Sequence, residues 1–271
     1  MIAVCPNPYR DIDLVITKKA VALLQDAGFD TVVCEIFADN NNSLREYASK
    51  ITLAVVIGGD GTILQAADEI EGFEVPIIGV NLGTKGFMAS IEPDEIHKIV
   101  EAAKGNYVKS TRMMLDVELS REGITEYIGC CLNDAVVHGY GDTINICAAT
   151  DGLRIIQFSG DGVVLATPTG STGYSMSAGG PIAEPEAETI IISPICAHSL
   201  GARNYVIGAD RIVTVRTEKL YERKAYLSVD GKNVADIMSG DIVTVKRSKN
   251  KIVFASVGSK NFFEMAFEKL M

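Results

Sequence analysis

The sequence predicts an α/β plus β-rich protein, in which an N-terminal doubly wound α/β domain is followed by a β-rich domain. Up to about residue 103, apolar runs of strand length alternate with segments of helical periodicity. Two of these runs, 53–57 and 76–80, are almost entirely apolar, as in parallel strands buried on both faces. Beyond residue 107, short segments of alternating polarity are separated by Gly and Asp turns, which is typical of a β-rich domain.

The elements of the first domain follow from these patterns in chain order. Residues 13–27 carry an apolar stripe at helical spacing, and Gly28 follows where a helix would end. Pro93 in a first turn favours a helix over 93–103. The predicted elements are strand 2–5, helix 13–27, strand 31–36, a short helix capped by Ser43, strand 53–57, helix 62–70, strand 76–80 and helix 93–103.

The second domain is predicted from alternating segments and the turn residues between them. Turns are expected at Arg121-Glu122-Gly123, at Asp151-Gly152 and at Asp230-Gly231. Strands are expected over residues 113–119, 143–149, 154–158, 163–166, 211–217, 225–229 and 241–247. The last predicted element is a helix over 262–270. The expected domain limits are therefore 1–107, 108–256 and a C-terminal helical segment, 257–271, whose return to the first domain is left open.

The composition argues against several classes of function. The 271 residues carry a net charge of −10 and no basic run, so no nucleic-acid-binding surface is expected. No apolar run approaches the roughly 18 residues of a membrane span, and no signal peptide is recognised, so the cytoplasm is the expected location. The six cysteines form no C-x-x-C pair and the three histidines lie far apart, which favours reduced, buried thiols over a zinc site.

The strongest functional signal is Gly58-Gly59-Asp60-Gly61-Thr62, which follows a buried strand and precedes a helix. Ligands of α/β sheets bind at this end of the strands, and glycines let a backbone approach phosphate. The N-terminus of the following helix offers N–H groups to an anion. A carboxylate beside phosphate is unfavourable unless it has a chemical role, so Asp60 is a candidate general base or metal-linked carboxylate. The alternative is a tight turn in which Asp60 caps the helix.

Other phosphate-binding and catalytic motifs do not occur in the chain. The sequence contains no G-x-x-x-x-G-K-[ST], no G-x-G-x-x-G and no G-x-S-x-G. This disfavours P-loop enzymes, dehydrogenases with the usual dinucleotide fingerprint, and α/β hydrolases.

Two further polar motifs interrupt the apolar second half. Asn133-Asp134 stands in an apolar stretch, where polar side chains are costly without partners, so it marks either a turn or bulge or a ligand cleft. Gly160-Asp161-Gly162 alone could form a hairpin turn. Residues 167–181 are rich in Gly, Ser and Thr, which suits ribose, phosphate and carboxamide groups, whereas a disordered linker is the alternative.

Together, residues 58–62, 133–134 and 160–181 make the chain resemble the NAD kinase family essentially from end to end. Supporting pieces are Asn81-Leu82-Gly83, Gly86-Phe87, His198-Ser199, Arg203 and Ser228-Val229-Asp230-Gly231. The resemblance implies a nucleotide-binding α/β domain, a β-rich NAD-binding domain and an active site between them. It implies transfer of a phosphoryl group from ATP or polyphosphate to the 2′-hydroxyl of the adenosine ribose of NAD. It also implies Mg²⁺ or another divalent cation held through the donor phosphates, and a homodimer or homotetramer with the NAD site near the subunit interface.

The resemblance assigns roles to residues of this sequence. Asp60 would be the catalytic base that contacts the ribose 2′-hydroxyl. The phosphate-donor loop would consist of Gly58, Gly59, Gly61 and Thr62. Asn133 and Asp134 would hold the adenosine part of NAD, and Asp161 would reach the nicotinamide end. The remaining NAD-binding residues would be Gly61, Phe87, Thr172, Gly173, Tyr174 and Ser177.

Two departures from the family pattern leave questions open. Asp134 stands where the family commonly has Glu, so its reach to the ribose is one methylene shorter. Lys85 stands where an apolar residue is common, and its role is left open between solvation and anion binding. A lipid or sugar kinase that shares the Gly-Gly-Asp-Gly-Thr loop, and a non-catalytic dinucleotide-binding module, are the alternative functions. Residue types distinguish neither ATP from polyphosphate nor NAD from NADH.

Overall fold

The structure, a computed structural model, describes residues 1–37, 43–83, 86–218, 220–258 and 262–270. The chain divides into two units, the first formed by Met1–Arg112 with Asn250–Met271 and the second by Met113–Lys249. The expected domain limits after residues 107 and 256 stay predictions. Within the described ranges, no helix is both long and apolar enough to cross a membrane.

The elements of the first unit alternate between strand and helix. They are β1 (Ile2–Pro6), α1 (Val15–Asp26), β2 (Thr31–Val33), α2 (Leu44–Tyr47), β3 (Leu53–Gly58), α3 (Asp60–Glu69), β4 (Pro76–Asn81), a 3-10 helix (Pro93–Lys98), α4 (Ile99–Ala103) and the C-terminal α6 (Phe262–Leu270). β5 (Val108–Arg121) and β16 (Ile242–Ser256) each have residues in both units.

The first unit is built on a parallel sheet with the strand order β2-β1-β3-β4, next to which Val253 and Phe254 of β16 pair in parallel with β4. One face of this sheet packs against α1 and α4 through a cluster that includes Ala20, Leu24 and Ile99. On the other face Gly79 of β4 touches α3 so closely that a Cβ there would lie 2.7 Å from Ile63 Cδ1. Helices therefore cover both faces, and the predicted doubly wound α/β fold is confirmed.

Several predicted boundaries in this unit were wrong. The predicted helix 13–27 begins at Val15 because Asp13 and Leu14 have positive φ angles of 56° and 53°. β2 ends at Val33, three residues before its predicted end. The predicted helix 93–103 begins as a 3-10 helix and becomes α-helical only at Ile99. α3 begins at Asp60 rather than at Thr62, so the aspartate of the glycine motif is the first residue of the helix.

The second unit is β-rich, as predicted. Its remaining strands are β6 (Ile124–Cys131), β7 (Asp134–Gly139), β8 (Ile144–Thr150), β9 (Leu153–Gly160), β10 (Gly162–Ala166), β11 (Thr189–Ile195), β12 (Tyr205–Gly208), β13 (Val213–Thr217), β14 (Ala225–Val229) and β15 (Lys232–Ile237). A 3-10 helix (Thr169–Thr172) and the short α5 (Tyr174–Ser177) follow β10. β6, β7, β11, β12 and β15 had no counterpart among the predicted strands.

Two groups of strands enclose the core of the second unit. One is the antiparallel sheet β12-β11-β10-β7-β14-β15. The other contains the N-terminal part of β16 with β13, β8 and β9, while β5 pairs with both β16 and β6. Their inward side chains form one cluster, with Val137 and Leu165 from the first sheet and Ile146 and Val215 from the second group.

The three predicted turns are confirmed as tight hairpin connections. In Glu122-Gly123, Asp151-Gly152 and Asp230-Gly231, both residues have positive φ angles, which is the geometry of a type I′ turn. By contrast, the alternative of a hairpin turn at Gly160-Asp161-Gly162 is wrong. β9 pairs with β8, whereas β10 pairs with β7 and β11, so this segment carries the chain from one sheet to the other.

A buried aspartate fixes the start of α1, and its removal is expected to destabilise the first unit. The Asp11 carboxylate accepts hydrogen bonds from the backbone N–H of Ile16 and of Thr17 at 2.9 and 2.8 Å. We expect Asp11→Ala to lower the free energy of unfolding by about 1–2 kcal/mol, because buried donors lose their acceptor. Urea denaturation measures this, with exposed Asp26→Ala at the other end of α1 as the control. Equal stability of the two variants would contradict this role of Asp11.

Candidate active site

Asp60 occupies the junction between β3 and α3. The backbone of Gly59 is extended, and Asp60 begins the helix. The Asp60 carboxylate accepts hydrogen bonds from the backbone N–H of Phe87 at 2.7 Å and of Met88 at 3.2 Å. Burial raises the pKa of Asp60, while these two N–H groups and the charge of Lys269 oppose that rise. The carboxylate is therefore held in a defined position although it is largely removed from water.

Close packing around the Asp60 carboxylate requires a glycine at position 86. A Cβ on Gly86 would lie 2.7 Å from Asp60 Oδ1, so a larger residue would displace the carboxylate or the segment that binds it. A Cβ on Gly83 would lie 3.5 Å from the Cα of Gly59. Gly61 is exposed, with open space where a Cβ would stand. The first turn of α3 thus presents backbone rather than side chains, which suits the approach of a phosphate group.

Hydrogen bonds from neighbouring residues stabilise the junction between β3 and α3. Thr62 is buried, and its hydroxyl accepts a hydrogen bond from Asn7 Nδ2 at 2.9 Å. Asn81 Oδ1 accepts from the Gly83 N–H at 2.9 Å, and its Nδ2 donates to Glu92 at 3.1 Å. These contacts explain the polar residues at the ends of β1 and β4. The open question about Lys85 concerns a position that lies outside the described residues.

Arg10 is a cation near the glycines that the sequence did not point to. Its Nη1 donates to the carbonyl oxygen of Leu82 at 3.3 Å, directly beside Gly83. Arg10 directly follows Pro8-Tyr9 in the loop after β1. Its position beside Gly83 results from the fold and could not be read from the sequence.

In the second unit, Asp230 organises the Asn133-Asp134 motif. The Asp230 carboxylate accepts hydrogen bonds from the backbone N–H of Leu132 at 2.8 Å, of Asn133 at 2.8 Å and of Asp134 at 3.1 Å. Asp230 stands in the type I′ turn between β14 and β15 with a φ of 45°. Its role in holding three successive N–H groups was not predicted, although the Asp-Gly turn itself was visible in the sequence.

The Asn133 and Asp134 side chains face a common glycine. A Cβ on Gly173 would lie 3.6 Å from Asn133 Nδ2 and 3.8 Å from Asp134 Oδ2. Asn133 Oδ1 is buried and has no hydrogen-bond partner among the described residues. An acceptor in this state fits a ligand that donates a hydrogen bond, since buried polar groups are otherwise paired.

Burial changes the protonation of Asp134. Its side chain is only 6% exposed. Burial first, and the neighbouring Asp230 carboxylate second, raise the pKa of Asp134 to about 7. The group is therefore close to half-protonated near neutral pH, and a hydroxyl or cation that binds to it would favour the ionised form.

The hydroxyl-rich segment is ordered and lies against Asn133, so the disordered-linker alternative is wrong. Thr167 Oγ1 donates to the Leu132 carbonyl at 2.5 Å and accepts from the Gly170 N–H at 3.0 Å. A Cβ on Gly170 would collide with the Asn133 carbonyl group. Of the predicted NAD-binding residues here, Thr172 is half-buried, whereas Tyr174 and Ser177 are exposed.

Asp161 belongs to the same neighbourhood of the second unit. The pKa of Tyr174 is raised, first because part of its side chain is removed from water and then because of electrostatic repulsion from nearby groups. These groups are Tyr226, Cys196, Asp161 and Asp134. Asp161 also accepts a hydrogen bond from Cys196, which raises the pKa of that thiol. Cys196 is exposed, so the prediction of buried cysteines was wrong at this position, where a positive φ of 46° ends the strand.

The predicted site residues thus form one group in each unit. Residues 58–62 and Phe87 lie together in the first unit, around Asp60. In the second unit, Asn133, Asp134, Gly173, Tyr174 and Asp161 lie together. In the part of the chain that the structure describes, no three His, Cys, Asp or Glu side chains are arranged to hold a metal ion.

Comparisons with known proteins relate both groups to one family. Residues 7–104 match the family model described as the ATP-NAD kinase N-terminal domain, and residues 132–257 match the ATP-NAD kinase C-terminal domain. An NAD kinase of Lachnoclostridium phytofermentans is 34% identical over 269 residues, which are 96% of this chain and 94% of the relative. An NAD kinase of Geobacter metallireducens is 38% identical over 221 residues, covering 80% and 78% of the two chains.

Two solved structures are similar over nearly the whole chain. An NAD kinase from Archaeoglobus fulgidus in complex with ATP has a TM-score of 0.78 at 26% identity, with coverage of 100% of this chain and 98% of that chain. A yeast NADH kinase complexed with NADH has a TM-score of 0.86 at 23% identity, with coverage of 99% and 86%, and demonstrates likeness of fold alone.

The raised pKa of Asp134 predicts a dependence of stability on pH. The folded state keeps a proton up to about pH 7 that the unfolded chain releases near the ordinary value of 3.8. The stability of the folded state therefore falls as pH rises between these values, by on the order of 1 kcal/mol for each pH unit, and the loss is complete above pH 7.

We expect Asp134→Asn, which cannot ionise, to unfold at a higher temperature than the wild type at pH 8. This advantage should shrink as the pH is lowered towards 4. Thermal unfolding followed by circular dichroism across this range measures the difference. Asp210→Asn is the control, because the Asp210 side chain is 95% exposed. A constant difference between Asp134→Asn and the wild type across the range would contradict the prediction.

Proposed function

Because this chain belongs to the NAD kinase family, we propose that Asp60 is the residue at which its kinase reaction occurs: phosphoryl transfer to the 2′-hydroxyl of the adenosine ribose of NAD, giving NADP. The observation that carries this assignment is the Asp60 carboxylate, held by the N–H groups of Phe87 and Met88 at the start of α3. A carboxylate fixed in this way beside a glycine loop can act on an alcohol that is brought next to a phosphate.

Asp60 orients the 2′-hydroxyl and accepts its proton late in the transfer. Phosphoryl transfer requires little covalent chemistry from the protein, and positioning and charge neutralisation supply most of the catalysis. The two N–H groups stabilise the ionised form of Asp60 against the effect of burial. The carboxylate is therefore available as a base without a large rearrangement.

The donor phosphates bind at the loop of Gly58, Gly59, Gly61 and Thr62. Support comes from the exposure of Gly61 and from the bracing of Thr62 by Asn7. ATP is the proposed donor, since the similar Archaeoglobus fulgidus enzyme was solved in complex with ATP, and polyphosphate is the other candidate. Mg²⁺ or another divalent cation, held mainly by the donor phosphates, would offset their charge.

The residues that the family resemblance assigns to NAD bind its separate parts. Asn133 and Asp134 hold its adenosine part, and the unpaired Asn133 Oδ1 suits a donor such as the adenine amino group. Thr172, Gly173, Tyr174 and Ser177 line the adenine pocket, and Asp161 reaches the nicotinamide end. Because Asp134 is shorter than glutamate, it reaches the ribose either directly at closer approach or through a water molecule.

The proposal also includes the oligomeric state and the cellular location of the enzyme. We propose a cytoplasmic homodimer or homotetramer in which the NAD site lies near the subunit interface. The basis for the oligomer is the resemblance of the chain as a whole to the family.

The assignment of Asp60 predicts a specific kinetic defect. We expect Asp60→Asn to lower kcat by about 10²–10⁴-fold while NAD still binds, because the amide keeps the shape of the side chain but cannot accept the proton. The measurement is a coupled assay with Mg²⁺, ATP and NAD, in which an NADP-specific dehydrogenase detects the product. Calorimetric titration with NAD tests binding.

Asp68→Asn is the matched control, since Asp68 is exposed on the same helix. It should retain wild-type turnover. Loss of NAD binding together with turnover in Asp60→Asn would make Asp60 a structural residue and contradict the assignment. No NADP from the wild type with ATP, polyphosphate, NAD or NADH would contradict the proposed function itself.

A further inference from the structure

The C-terminal helix α6 places a cation beside the segment that holds Asp60. α6 belongs to the first unit, and the Nζ of its Lys269 lies 5.6 Å from the centroid of the Phe87 ring. This is within the range of a cation–π contact. Lys269 itself is half-buried.

Phe87 links this cation to the reacting carboxylate. The same residue whose ring faces Lys269 donates its backbone N–H to Asp60 Oδ2 at 2.7 Å, and Met88 donates the second hydrogen bond. The charge of Lys269 also acts on Asp60 directly, since it lowers the pKa of the carboxylate. Lys269 is thus connected with Asp60 in two ways: by its contact with the Phe87 ring and by its electrostatic effect on the carboxylate.

Lys269 lines a cavity that holds both acidic and basic side chains. α6 and the 3-10 helix Pro93–Lys98 line a cavity of about 300 Å³, to which Glu92, Lys98 and Lys269 contribute. Lys98 forms an ion pair with Glu95. Among the residues that the structure describes, no carboxylate forms an ion pair with Lys269. Lys269 thus acts on Asp60 without a salt bridge among the described residues, so its ammonium group can still contact a ligand.

We propose that Lys269 is a positioning residue for phosphoryl transfer, which holds the Phe87–Met88 segment around Asp60 and offsets the negative charge that the donor phosphates bring to it. This inference rests on the proposed role of Asp60. Phosphoryl transfer gathers several negative charges in a small volume, and cations placed beforehand lower the energy of the transition state. The C-terminal helix therefore contributes to turnover rather than only to the stability of the fold.

The test separates the effect of the Lys269 charge from the effect of its side-chain size, and it uses the whole 271-residue chain. Lys269→Met keeps the length of the stem and removes the charge, whereas Lys269→Arg keeps the charge. Lys98→Met is the control, because Lys98 lines the same cavity but is paired with Glu95. For each variant, kcat and the KM for NAD and for ATP are measured with Mg²⁺, together with the thermal unfolding midpoint.

We expect Lys269→Met to lower kcat about tenfold, with little change in the KM for NAD. Lys269→Arg should recover most of the activity, and Lys98→Met should match the wild type. Unchanged kcat in Lys269→Met would overturn the inference, and so would equal losses in the Met and Arg variants or in Lys98→Met. An inactive wild type would instead contradict the proposed function, so the two failures are distinguishable.

Discussion

The hydrogen bonds from the Phe87 and Met88 N–H groups to Asp60 are the interaction on which the proposed chemistry depends. They join the start of α3 to the segment after β4, across 27 and 28 positions of the chain. A carboxylate in this half-buried position is stabilised by these hydrogen bonds, because desolvation disfavours its charge. The glycine at position 86 allows the approach, since a Cβ would lie 2.7 Å from the carboxylate. The same two hydrogen bonds therefore place the Asp60 carboxylate and join α3 to the segment after β4.

In the second unit, too, an aspartate carboxylate accepts hydrogen bonds from successive backbone N–H groups. Asp230 accepts from three successive N–H groups, those of residues 132–134, and so sets the direction of the Asn133 and Asp134 side chains. Its charge also contributes to the raised pKa of Asp134. The backbone amides of residues 132–134 are therefore engaged within the protein, so a ligand at this motif would meet the Asn133 and Asp134 side chains.

The fold class and the Gly58-Gly59-Asp60-Gly61-Thr62 motif were predictable from the sequence because both depend on local patterns: hydrophobic periodicity and a glycine-rich turn after a buried strand. The contacts of Asp230, Arg10 and Lys269 were not, since each joins residues far apart in the chain. The start of α1 was missed because Asp13 and Leu14 adopt positive φ angles that their residue types rarely favour. The exposure of Cys196 was missed for a similar reason, since Cys196 has a positive φ directly after the last residue of β11.

The most direct test of the account asks which hydroxyl of NAD the enzyme phosphorylates. The wild-type protein would be incubated with Mg²⁺, ATP and one of two NAD analogues, lacking either the 2′- or the 3′-hydroxyl of the adenosine ribose. Phosphorus NMR would detect a new phosphomonoester. We expect phosphorylation of the 3′-deoxy analogue and none of the 2′-deoxy analogue. A phosphomonoester on the 2′-deoxy analogue would show that the group which Asp60 serves is not the 2′-hydroxyl.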